Sequence, residues 1–435
     1  MQITEILKDS FIEVLKDIEP SKLINNKCIF NKDTNEIIID NQIISLPRDK
    51  KIHLFGSGKA VLSMAKSIYE NLEEKIQKSV LVGPYDNSLD KKDLNYLKST
   101  HPIPSSKSEN SARTLKENIE SLNEDDFFIY LLSGGNSALV ELPVANITMN
   151  EFQETTDLML KGSMPIVAMN CIRKHLSQVK GGRLVTNCKA KGVVLVLSDV
   201  LSNDLEAIGS APLYFDSSTF EDSIKYLKEY ELFDKIPKKV KTYLIDGKNK
   251  KIEDTPKKKN ENIKHFLIAS NEILLNDIKN NLLSKNIIAE IMDKKIEEDV
   301  NIVVKELLDF IKTKQEGCFI FGGEALVKVT ANGKGGRNQH LILSFLDKFP
   351  KDIELAILSA ASDGIDGNSN SAGAVINNKT LEDVKVLDLD IKKYLEDFNS
   401  NEFFEKTGNL INTGPSHNNM LDVLIIHIKN KIKEK

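Results

Sequence analysis

Short apolar runs that end in glycine- or serine-rich turns recur along the chain, and they constrain its fold more than any other feature. Such runs occupy residues 127–132, 192–197, 318–321 and 355–360, and helical patterns of apolar residues follow several of the turns. An apolar run of about four to eight residues between turn residues is typical of a buried strand. Because strands alternate with helices in both halves of the chain, the sequence predicts an α/β fold.

The length of 435 residues and a polar stretch at residues 246–264 predict two domains. A chain of this length exceeds what one ordinary hydrophobic core serves. Residues 246–264 are lysine-rich and nearly devoid of large apolar side chains, which is typical of a linker. We therefore expect one α/β domain over residues 1–245 and a second over residues 265–435, joined by this linker.

The composition is that of a soluble protein that binds neither membranes nor nucleic acid. Hydrophobic residues make up 40% and charged residues 28%, and the net charge of −5 disfavours attraction to nucleic acid or anionic lipid. No apolar run approaches the roughly 18 residues of a membrane span, and the N-terminus reads as an amphipathic helix, not as a signal peptide. The four cysteines form no CxxC pair, so we expect neither a zinc site nor a redox dithiol, and a cytoplasmic location.

The first turn with the character of an anion site follows the apolar residues 52–55. It consists of Gly56, Ser57, Gly58 and Lys59. A helical pattern comes next, and the free N–H groups and dipole at the start of a helix favour a negative charge. The turn is not a complete dinucleotide fingerprint, because Val61 occupies the third glycine position. It is not a Walker A loop either, because Ala60 follows the lysine.

A second turn of this kind follows the apolar run at residues 127–132 and precedes another helical pattern. It consists of Ser133, Gly134, Gly135, Asn136 and Ser137. Successive free N–H groups in such a turn can surround an anion, and the serine hydroxyls supply further donors. The combination of a buried strand and this turn indicates a phosphate or carboxylate site.

Three acids and one arginine also lie at the ends of predicted elements. Asp199 and Asp363 each follow an apolar strand, and open α/β sheets bind ligands at the carboxyl ends of their strands. Glu324 follows a glycine pair, and Arg337 follows another glycine pair just before a helical pattern. Because a helix start favours an anion, Arg337 and its neighbouring N–H groups are predicted to face one. The alternative is two glycine turns with solvated cations.

Eight motifs in a fixed order resemble one known family. They are GSGKA, HPIP, LLSGGNSAL, RKHLSQVKGGRL, LSDV, GGEALVKVTANGKGGRNQ, SDGIDG and NTGP. Together they are similar to the glycerate 2-kinases, the family with a MOFRL C-terminal domain, over nearly the whole chain. The resemblance implies an N-terminal Rossmann-like parallel sheet, a C-terminal MOFRL α/β domain and an active site in the interdomain cleft. It also implies that the γ-phosphoryl group of ATP is transferred to the 2-hydroxyl of D-glycerate with Mg²⁺, giving 2-phosphoglycerate and ADP.

The resemblance further implies roles for the charged residues. Lys59 and Arg337 match the basic residues of the family's GKA and GGRNQ motifs, and Asp199, Glu324 and Asp363 match its strand-end acids. Both basic residues and Asp199 are expected to be catalytic, the two glycine turns to hold the nucleotide, and the three acids to bind Mg²⁺. Which acid accepts the proton of the attacking hydroxyl stays open.

Several departures from the family pattern and two other function classes accompany this interpretation. Asn136 stands where the family has a glycine, and His340 where an acid is usual. A hydroxypyruvate reductase that uses NAD(P)H and a non-catalytic ligand-binding protein stay open as alternatives. The incomplete dinucleotide fingerprint at Val61 argues against the first, and the retained charged residues argue against the second. The sequence does not decide the oligomeric state, and a homodimer is kept as an expectation.

Overall fold

Two compact units make up the protein. The computed structural model describes residues 2–48, 52–314, 316–416 and 418–431. The central unit is Pro20–Ile268, whereas the terminal unit combines the residues up to Glu19 with those from Ala269 onwards. The terminal unit therefore begins with helix α1 (Ile3–Asp17). No helix in the described ranges is long and apolar enough to cross a membrane.

Two sheets lie in the central unit. The first is a small antiparallel sheet of β1 (Cys28–Asn31), β2 (Glu36–Ile39) and β3 (Gln42–Ser45). The second contains β4 (Ile52–Ser57), β5 (Ile76–Gly83), β6 (Leu94–Lys98), β7 (Phe127–Leu132), β8 (Lys191–Leu197) and β9 (Ile263–Ala269). Its strand order is β6-β5-β4-β7-β8-β9, and the pairings from β6 to β8 are parallel. Strand β7 is buried along its whole length, as expected for a parallel sheet covered on both faces.

Helices pack around this sheet through their apolar faces. They are α2 (Pro20–Lys27), α3 (Val61–Leu72), α4 (Ser106–Glu120), α5 (Asn136–Leu139), α6 (Met149–Lys161), α7 (Ile166–His175), α8 (Phe220–Glu229) and α9 (Lys238–Lys248). Val61, Ala65 and Ile68 of α3 are buried, as the helical spacing predicted. Ser105 caps the start of α4, and its side chain accepts a hydrogen bond from the N–H of Lys107 at 3.1 Å. The parallel α/β fold of this part of the chain is thus confirmed.

The terminal unit has a mixed sheet of a different kind. Its strands are β10 (Ala289–Ile291), β11 (Gly317–Gly323), β12 (Ile353–Ala361), β13 (Gly373–Asn377), β14 (Leu410–Ile411) and β15 (Asp422–Lys431). The order is β10-β11-β15-β12-β13-β14, in which β10 and β11 are parallel and the other pairs are antiparallel. Besides α1, its helices are α10 (Asn271–Ser284), α11 (Val300–Thr313), α12 (Arg337–Asp347), α13 (Asn378–Val386), α14 (Ile391–Glu396) and α15 (Ser400–Thr407).

The lysine-rich residues 246–264 differ from the predicted linker, because side-chain contacts fasten them to the central unit. Asp254 Oδ1 lies 2.9 Å from Nε2 of the buried His175. Thr255 is buried and donates a hydrogen bond to Asp216 Oδ2 at 2.9 Å. The exposed lysines gave this stretch the composition of a linker, although the polar groups between them are anchored. The chain changes unit later, between Ile268 and Ala269 at the end of β9.

Helix α1 is the second difference from the predicted division, which placed it in the N-terminal domain. Its apolar residues Leu7 and Phe11 are buried, and the helix packs against α10 and β12. Glu13 also pairs with Lys285 beyond the end of α10 at 2.9 Å. Helical spacing predicted the helix itself but carries no information about which distant elements cover its apolar face.

Candidate active site

Loops of the central unit meet at one edge of its sheet because the strands that precede them are neighbours. Strands β4 and β7 run parallel, with Ser57 opposite Leu132, and β8 lies on the other side of β7. The N–H of Ser133 donates to Ser57 O at 3.1 Å, and the N–H of Lys59 donates to Gly134 O at 2.9 Å. The two glycine turns predicted from the sequence are therefore in direct contact.

Glycine is required at two positions of these turns, since each lies against a neighbouring loop. Gly58 has φ +133°, and a Cβ there would lie 2.1 Å from Ser133 Oγ. A Cβ on Gly134 would lie 2.4 Å from Asp199 Oδ2. The missing side chain therefore lets the loop after β7 touch the aspartate that follows β8.

The four polar side chains predicted to bind the cofactor have partners inside the unit, including Ser137, whose Oγ lies 2.8 Å from Ser210 Oγ. Ser57 Oγ lies 2.6 Å from the hydroxyl of Tyr130 and donates to Asn136 Oδ1 at 2.5 Å. Asn136 also donates to a backbone carbonyl at 2.9 Å. Ser133 Oγ accepts a hydrogen bond from the N–H of Ala60 at 3.1 Å. These side chains hold the turns in place, a role that the sequence pattern does not distinguish from ligand binding.

A cavity of about 790 Å³ opens beside the turns. Of the eight residues predicted to hold the cofactor, Gly135 and Ser137 line it. Lys59 lies next to this wall, since a Cβ on Gly135 would lie 3.2 Å from Lys59 Cγ and 3.2 Å from His101 Cδ2. Asp199 lines the same cavity. Much of the remaining lining is apolar and includes Ile103, Phe152, Leu160 and Ile166.

Burial changes the proton affinity of two groups near Lys59. Burial raises the pKa of Asp199 above its usual range, and its own N–H and the charge of Lys59 offset this only in part. Burial lowers the pKa of His101, and Lys59 lowers it further. At neutral pH His101 is therefore uncharged, whereas Asp199 takes up a proton more readily than an ordinary aspartate.

The charged residues of the terminal unit meet because one strand lies antiparallel between two others. Strand β15 pairs with β11 on one side and with β12 on the other, so that Asp422 faces both Gly323 and Ala361. The start of β15 is thus level with the ends of β11 and β12. Glu324 and Asp363 follow those two ends, and three carboxylates gather at one edge of the sheet.

Two of these carboxylates bind Arg337. Its Nε lies 2.5 Å from Asp422 Oδ2, and its Nη2 donates to Asp422 Oδ1 at 3.0 Å. The same Nη2 lies 2.6 Å from Glu324 Oε1. A planar guanidinium suits such a two-point contact with a carboxylate. The anion that Arg337 was predicted to face is therefore supplied by the protein itself.

The start of helix α12 is also occupied by a protein carboxylate. Asp366 accepts hydrogen bonds from the N–H groups of Asn338 at 3.1 Å and Gln339 at 2.8 Å. These are the donors that the sequence predicted to face an anion. The anion that they face in the structure is a buried aspartate of the protein, three residues beyond Asp363.

Burial and crowding raise the proton affinity of this acidic cluster. Burial, and then the neighbouring Asp422, raise the pKa of Glu324 to about 7, although Arg337 opposes the change. Burial raises the pKa of Asp366 to about 7 as well. The cluster therefore takes up or releases protons near neutral pH, unlike carboxylates on an open surface.

A second cavity, of about 1040 Å³, adjoins the cluster within the terminal unit. Glu324, Asp363 and Arg337 line it. His340 lines it too, and its ring stacks on Phe398 with centroids 4.7 Å apart and planes 3° apart. The residue that stands where an acid was expected thus adds an aromatic surface to the wall.

Comparisons with known proteins agree on one family. Residues 6–245 match the domain of unknown function DUF4147, and residues 317–422 match the MOFRL family. A glycerate 2-kinase from Pyrococcus horikoshii is 32% identical over 99% of this chain and 98% of its own length. A D-glycerate 2-kinase from Thermotoga maritima is 35% identical over 86% of this chain and 90% of its own length. The chain belongs to the glycerate 2-kinase family.

A solved structure that is named for a glycerate kinase has the same fold. The crystal structure of a glycerate kinase from Thermotoga maritima matches with a TM-score of 0.84 over 98% of this chain and 99% of that chain, at 31% identity. A relative from Agrobacterium vitis that is named for hydroxypyruvate reductase activity is 26% identical over 90% of each chain. The predicted family is confirmed, and the name behind the reductase alternative belongs to a more distant relative.

The metal site implied by the resemblance to glycerate 2-kinases is not preformed by protein groups alone. Among the residues that the structure describes, no group of three or more His, Cys, Asp or Glu side chains is arranged to hold a metal ion. Asp199 belongs to the central unit, whereas Glu324 and Asp363 belong to the terminal unit. Mg²⁺ commonly takes one or two carboxylates and completes its shell with phosphate and water oxygens. Glu324 and Asp363 suit such a partial set.

Two residues were absent from the site that the resemblance to glycerate 2-kinases implied. Asp422 pairs with Arg337, and the register of β15 alone places it there. Arg173 lines the 790 Å³ cavity from helix α7. The available signal for Arg173 was the position of its basic motif close to two glycine turns in the sequence.

Proposed function

We propose that this protein transfers the γ-phosphoryl group of ATP to the 2-hydroxyl of D-glycerate, giving 2-phosphoglycerate and ADP. Family membership supports the proposal, because relatives at 32% and 35% identity carry the names glycerate 2-kinase and D-glycerate 2-kinase. The observation that carries it is the meeting of Lys59, Asp199 and the glycine turns beside one cavity. A cation and a proton acceptor next to open backbone turns suit phosphoryl transfer to an alcohol.

Lys59 and Asp199 have separate tasks in this proposal. Phosphoryl transfer depends on positioning and on neutralising the charge of the transferred group. Lys59 stabilises the negative charge on the γ-phosphoryl oxygens. Asp199 accepts the proton of the 2-hydroxyl while the hydroxyl oxygen bonds to phosphorus and the bond between phosphorus and the ADP oxygen breaks. The raised pKa of Asp199 makes it a better proton acceptor than an ordinary aspartate.

The eight residues of the predicted cofactor site divide into two groups in this proposal. Gly135 and Ser137 line the cavity and are proposed to contact a ligand. The other six are proposed to shape the turns behind them, through close glycine packing or internal hydrogen bonds. They are Gly56, Ser57, Gly58, Ser133, Gly134 and Asn136.

In the terminal unit, Arg337 is proposed as a positioning residue that holds Glu324 and Asp422. Glu324 and Asp363 would hold Mg²⁺, and Asp199 was the third ligand implied by the resemblance. The raised pKa of Glu324 fits a cation site, because a divalent ion would relieve the repulsion between neighbouring carboxylates. When bound, Mg²⁺ would neutralise charge on the nucleotide phosphates.

An ADP-release assay across small hydroxy acids, with NMR to identify the phosphorylated carbon, tests the function. The expected result is 2-phosphoglycerate from D-glycerate and ATP. Phosphate on the 3-hydroxyl would contradict the proposed position of attack. Oxidation of NADH with hydroxypyruvate and no ADP would favour a reductase, and binding of ATP without turnover would favour a non-catalytic protein.

The binding partners, the oligomeric state and the cellular location are also proposals. We expect ATP and D-glycerate as small-molecule partners in the cytoplasm, with no nucleic-acid or membrane partner. A homodimer remains a prediction, for which light scattering of the purified protein is the direct measurement. Cell fractionation tests the cytoplasmic location.

A further inference from the structure

The side chain of Arg173 is a half-buried cation with no hydrogen-bonded partner among the residues that the structure describes. It lies in the last turn of α7 and lines the 790 Å³ cavity of the central unit together with Ser137 and Asn170. Within the described ranges, no oxygen accepts a hydrogen bond from its guanidinium, and the group that offsets its burial is the charge of Glu141. Burial therefore lowers the pKa of Arg173.

The charge of Glu141 is shared with a second cation. Lys180 is fully buried and forms an ion pair with Glu141, and it also donates to the carbonyl oxygens of Ser137 at 2.9 Å and Val140 at 3.2 Å. Arg173 and Lys180 thus share the single negative charge of Glu141, which leaves this group of three with a net positive charge. Because Arg173 lines the cavity and Lys180 is enclosed, the positive charge of Arg173 faces the cavity.

Arg183 shows what a structural arginine looks like in the same unit. It donates to the carbonyl oxygens of Ser177 at 2.8 Å and His175 at 3.3 Å, and these bonds hold the end of α7 to the following loop. Arg173 makes no such bonds to the described part of the chain, so its charge is not used there for holding the backbone. A guanidinium that is desolvated and has its donors free is suited to bind a planar anion at two points.

We propose that Arg173 binds the carboxylate of the substrate and thereby selects 2-hydroxy acids, an assignment that rests on the proposed function. Ser137 and Arg173 line the same cavity as Asp199, and Lys59 lies beside the wall formed by Gly135. The carboxylate of a 2-hydroxy acid is bonded to the carbon that carries the reacting hydroxyl. An anion site in the same cavity as the proton acceptor is therefore what such a substrate requires.

Arg173→Lys and Arg173→Gln test this assignment, with Arg113→Lys as the control because Arg113 is exposed and pairs with Glu109 on the same helix. We expect the KM for D-glycerate to rise at least about 30-fold in both Arg173 variants, as for removal of one partner of a desolvated charge pair. The KM for ATP and the melting temperature should stay unchanged. The preference for D-glycerate over glycerol, which lacks the carboxylate, should shrink by a similar factor.

Other outcomes overturn the assignment. A rise in the KM for ATP alone would make the bound anion a nucleotide phosphate, and an unchanged KM for both substrates would leave Arg173 without a ligand. If the wild-type protein does not phosphorylate D-glycerate, the proposed function fails separately. Calorimetric titration with D-glycerate then still decides the Arg173 assignment, which requires binding to wild type and to Arg113→Lys and its loss in Arg173→Gln.

Discussion

The charged regions of the two units are built by different means. In the central unit, backbone turns and glycines position Lys59, and no described acid lies within ion-pair distance of its amino group. In the terminal unit, ion pairs between side chains position Arg337, whose guanidinium is bound by Asp422 and Glu324. The first arrangement leaves a cation available to a ligand, and the second uses its cation to hold protein carboxylates together.

This difference predicts where substitutions act. A cation held by backbone geometry contributes little packing, so its loss should reduce turnover and leave stability intact. A cation that neutralises buried acids contributes to folding, so its loss should reduce stability. The positive charges of the two regions are therefore not equivalent, although the sequence presented both as a basic residue beside a glycine turn.

The largest expected effect tests the central region. Lys59→Ala should reduce kcat/KM by roughly 1000-fold, about 4 kcal/mol of transition-state stabilisation, because nothing else replaces its charge at the transferred phosphoryl group. The melting temperature should stay the same. Lys66→Ala is the matched control, since Lys66 is exposed on the helix that follows Lys59. If Lys59→Ala keeps near-full activity, or if it unfolds, Lys59 does not differ from Arg337 in the way proposed here.

A buried pair away from the cavity tests whether the central unit too contains charges that support folding. Burial alone would lower the pKa of His175, but its hydrogen bonds to Asp254 and Cys171 raise it to about 9. Since the ordinary value is 6.5, the pair stabilises the fold fully below about pH 6.5, and the effect is lost as the pH rises to about 9. Asp254→Asn should therefore cost about 3 kcal/mol at pH 6 and much less at pH 10.

Chemical denaturation at several pH values measures this dependence. Asp234→Asn is the control, because the Asp234 side chain is 88% exposed. If Asp254→Asn lowers the free energy of unfolding equally at pH 6 and pH 10, the contact with His175 is not charged.

The next effect tests the terminal region. Arg337→Ala leaves Asp422 and Glu324 without their cation and should lower the free energy of unfolding by about 2 kcal/mol, a value reduced because the Arg337 side chain is 35% exposed. An arginine that faced only a ligand would have left stability unchanged. Thermal unfolding measures the effect, with Arg113→Ala as the exposed control. An unchanged melting temperature together with lost turnover would restore Arg337 to a direct catalytic role.

The smallest effect concerns the proton of Glu324. Its pKa of about 7 lies above the ordinary 4.5, so its protonated form favours folding, and that contribution fades as the pH rises from about 4.5 to about 7. Glu324→Gln removes this dependence and should gain about 1 kcal/mol over wild type between pH 5 and pH 8, less than the full pKa shift would give because the Glu324 side chain is 28% exposed. Unfolding at both pH values measures the gain, and the exposed Glu405→Gln is the control. Parallel pH profiles for Glu324→Gln and wild type would contradict the crowding of these carboxylates.

The amino-acid sequence by itself determined the local units of this fold and the family. Strand, turn and helix follow one another within about 20 residues, so the apolar run at 127–132 and the glycines after it predicted β7 and its turn. Because β4, β7 and β8 are parallel neighbours, residues at the ends of their strands had to meet at one edge. In the structure Lys59 lies near Asp199 at this edge, and its charge partly offsets the rise that burial causes in the pKa of the aspartate.

Tertiary structure decided what depends on pairing between distant segments. Asp422 begins an antiparallel strand, and its place beside Glu324 follows from a register set roughly 100 residues away along the chain. Helix α1 and the lysine-rich stretch likewise belong to units that are set by contacts with distant residues. No local sequence pattern identifies those residues. The hydrogen-bond partners of Ser57 and Arg337 could not be predicted for the same reason. The residue type determines which hydrogen bonds a side chain can make, but the folded chain determines which neighbour accepts or donates them.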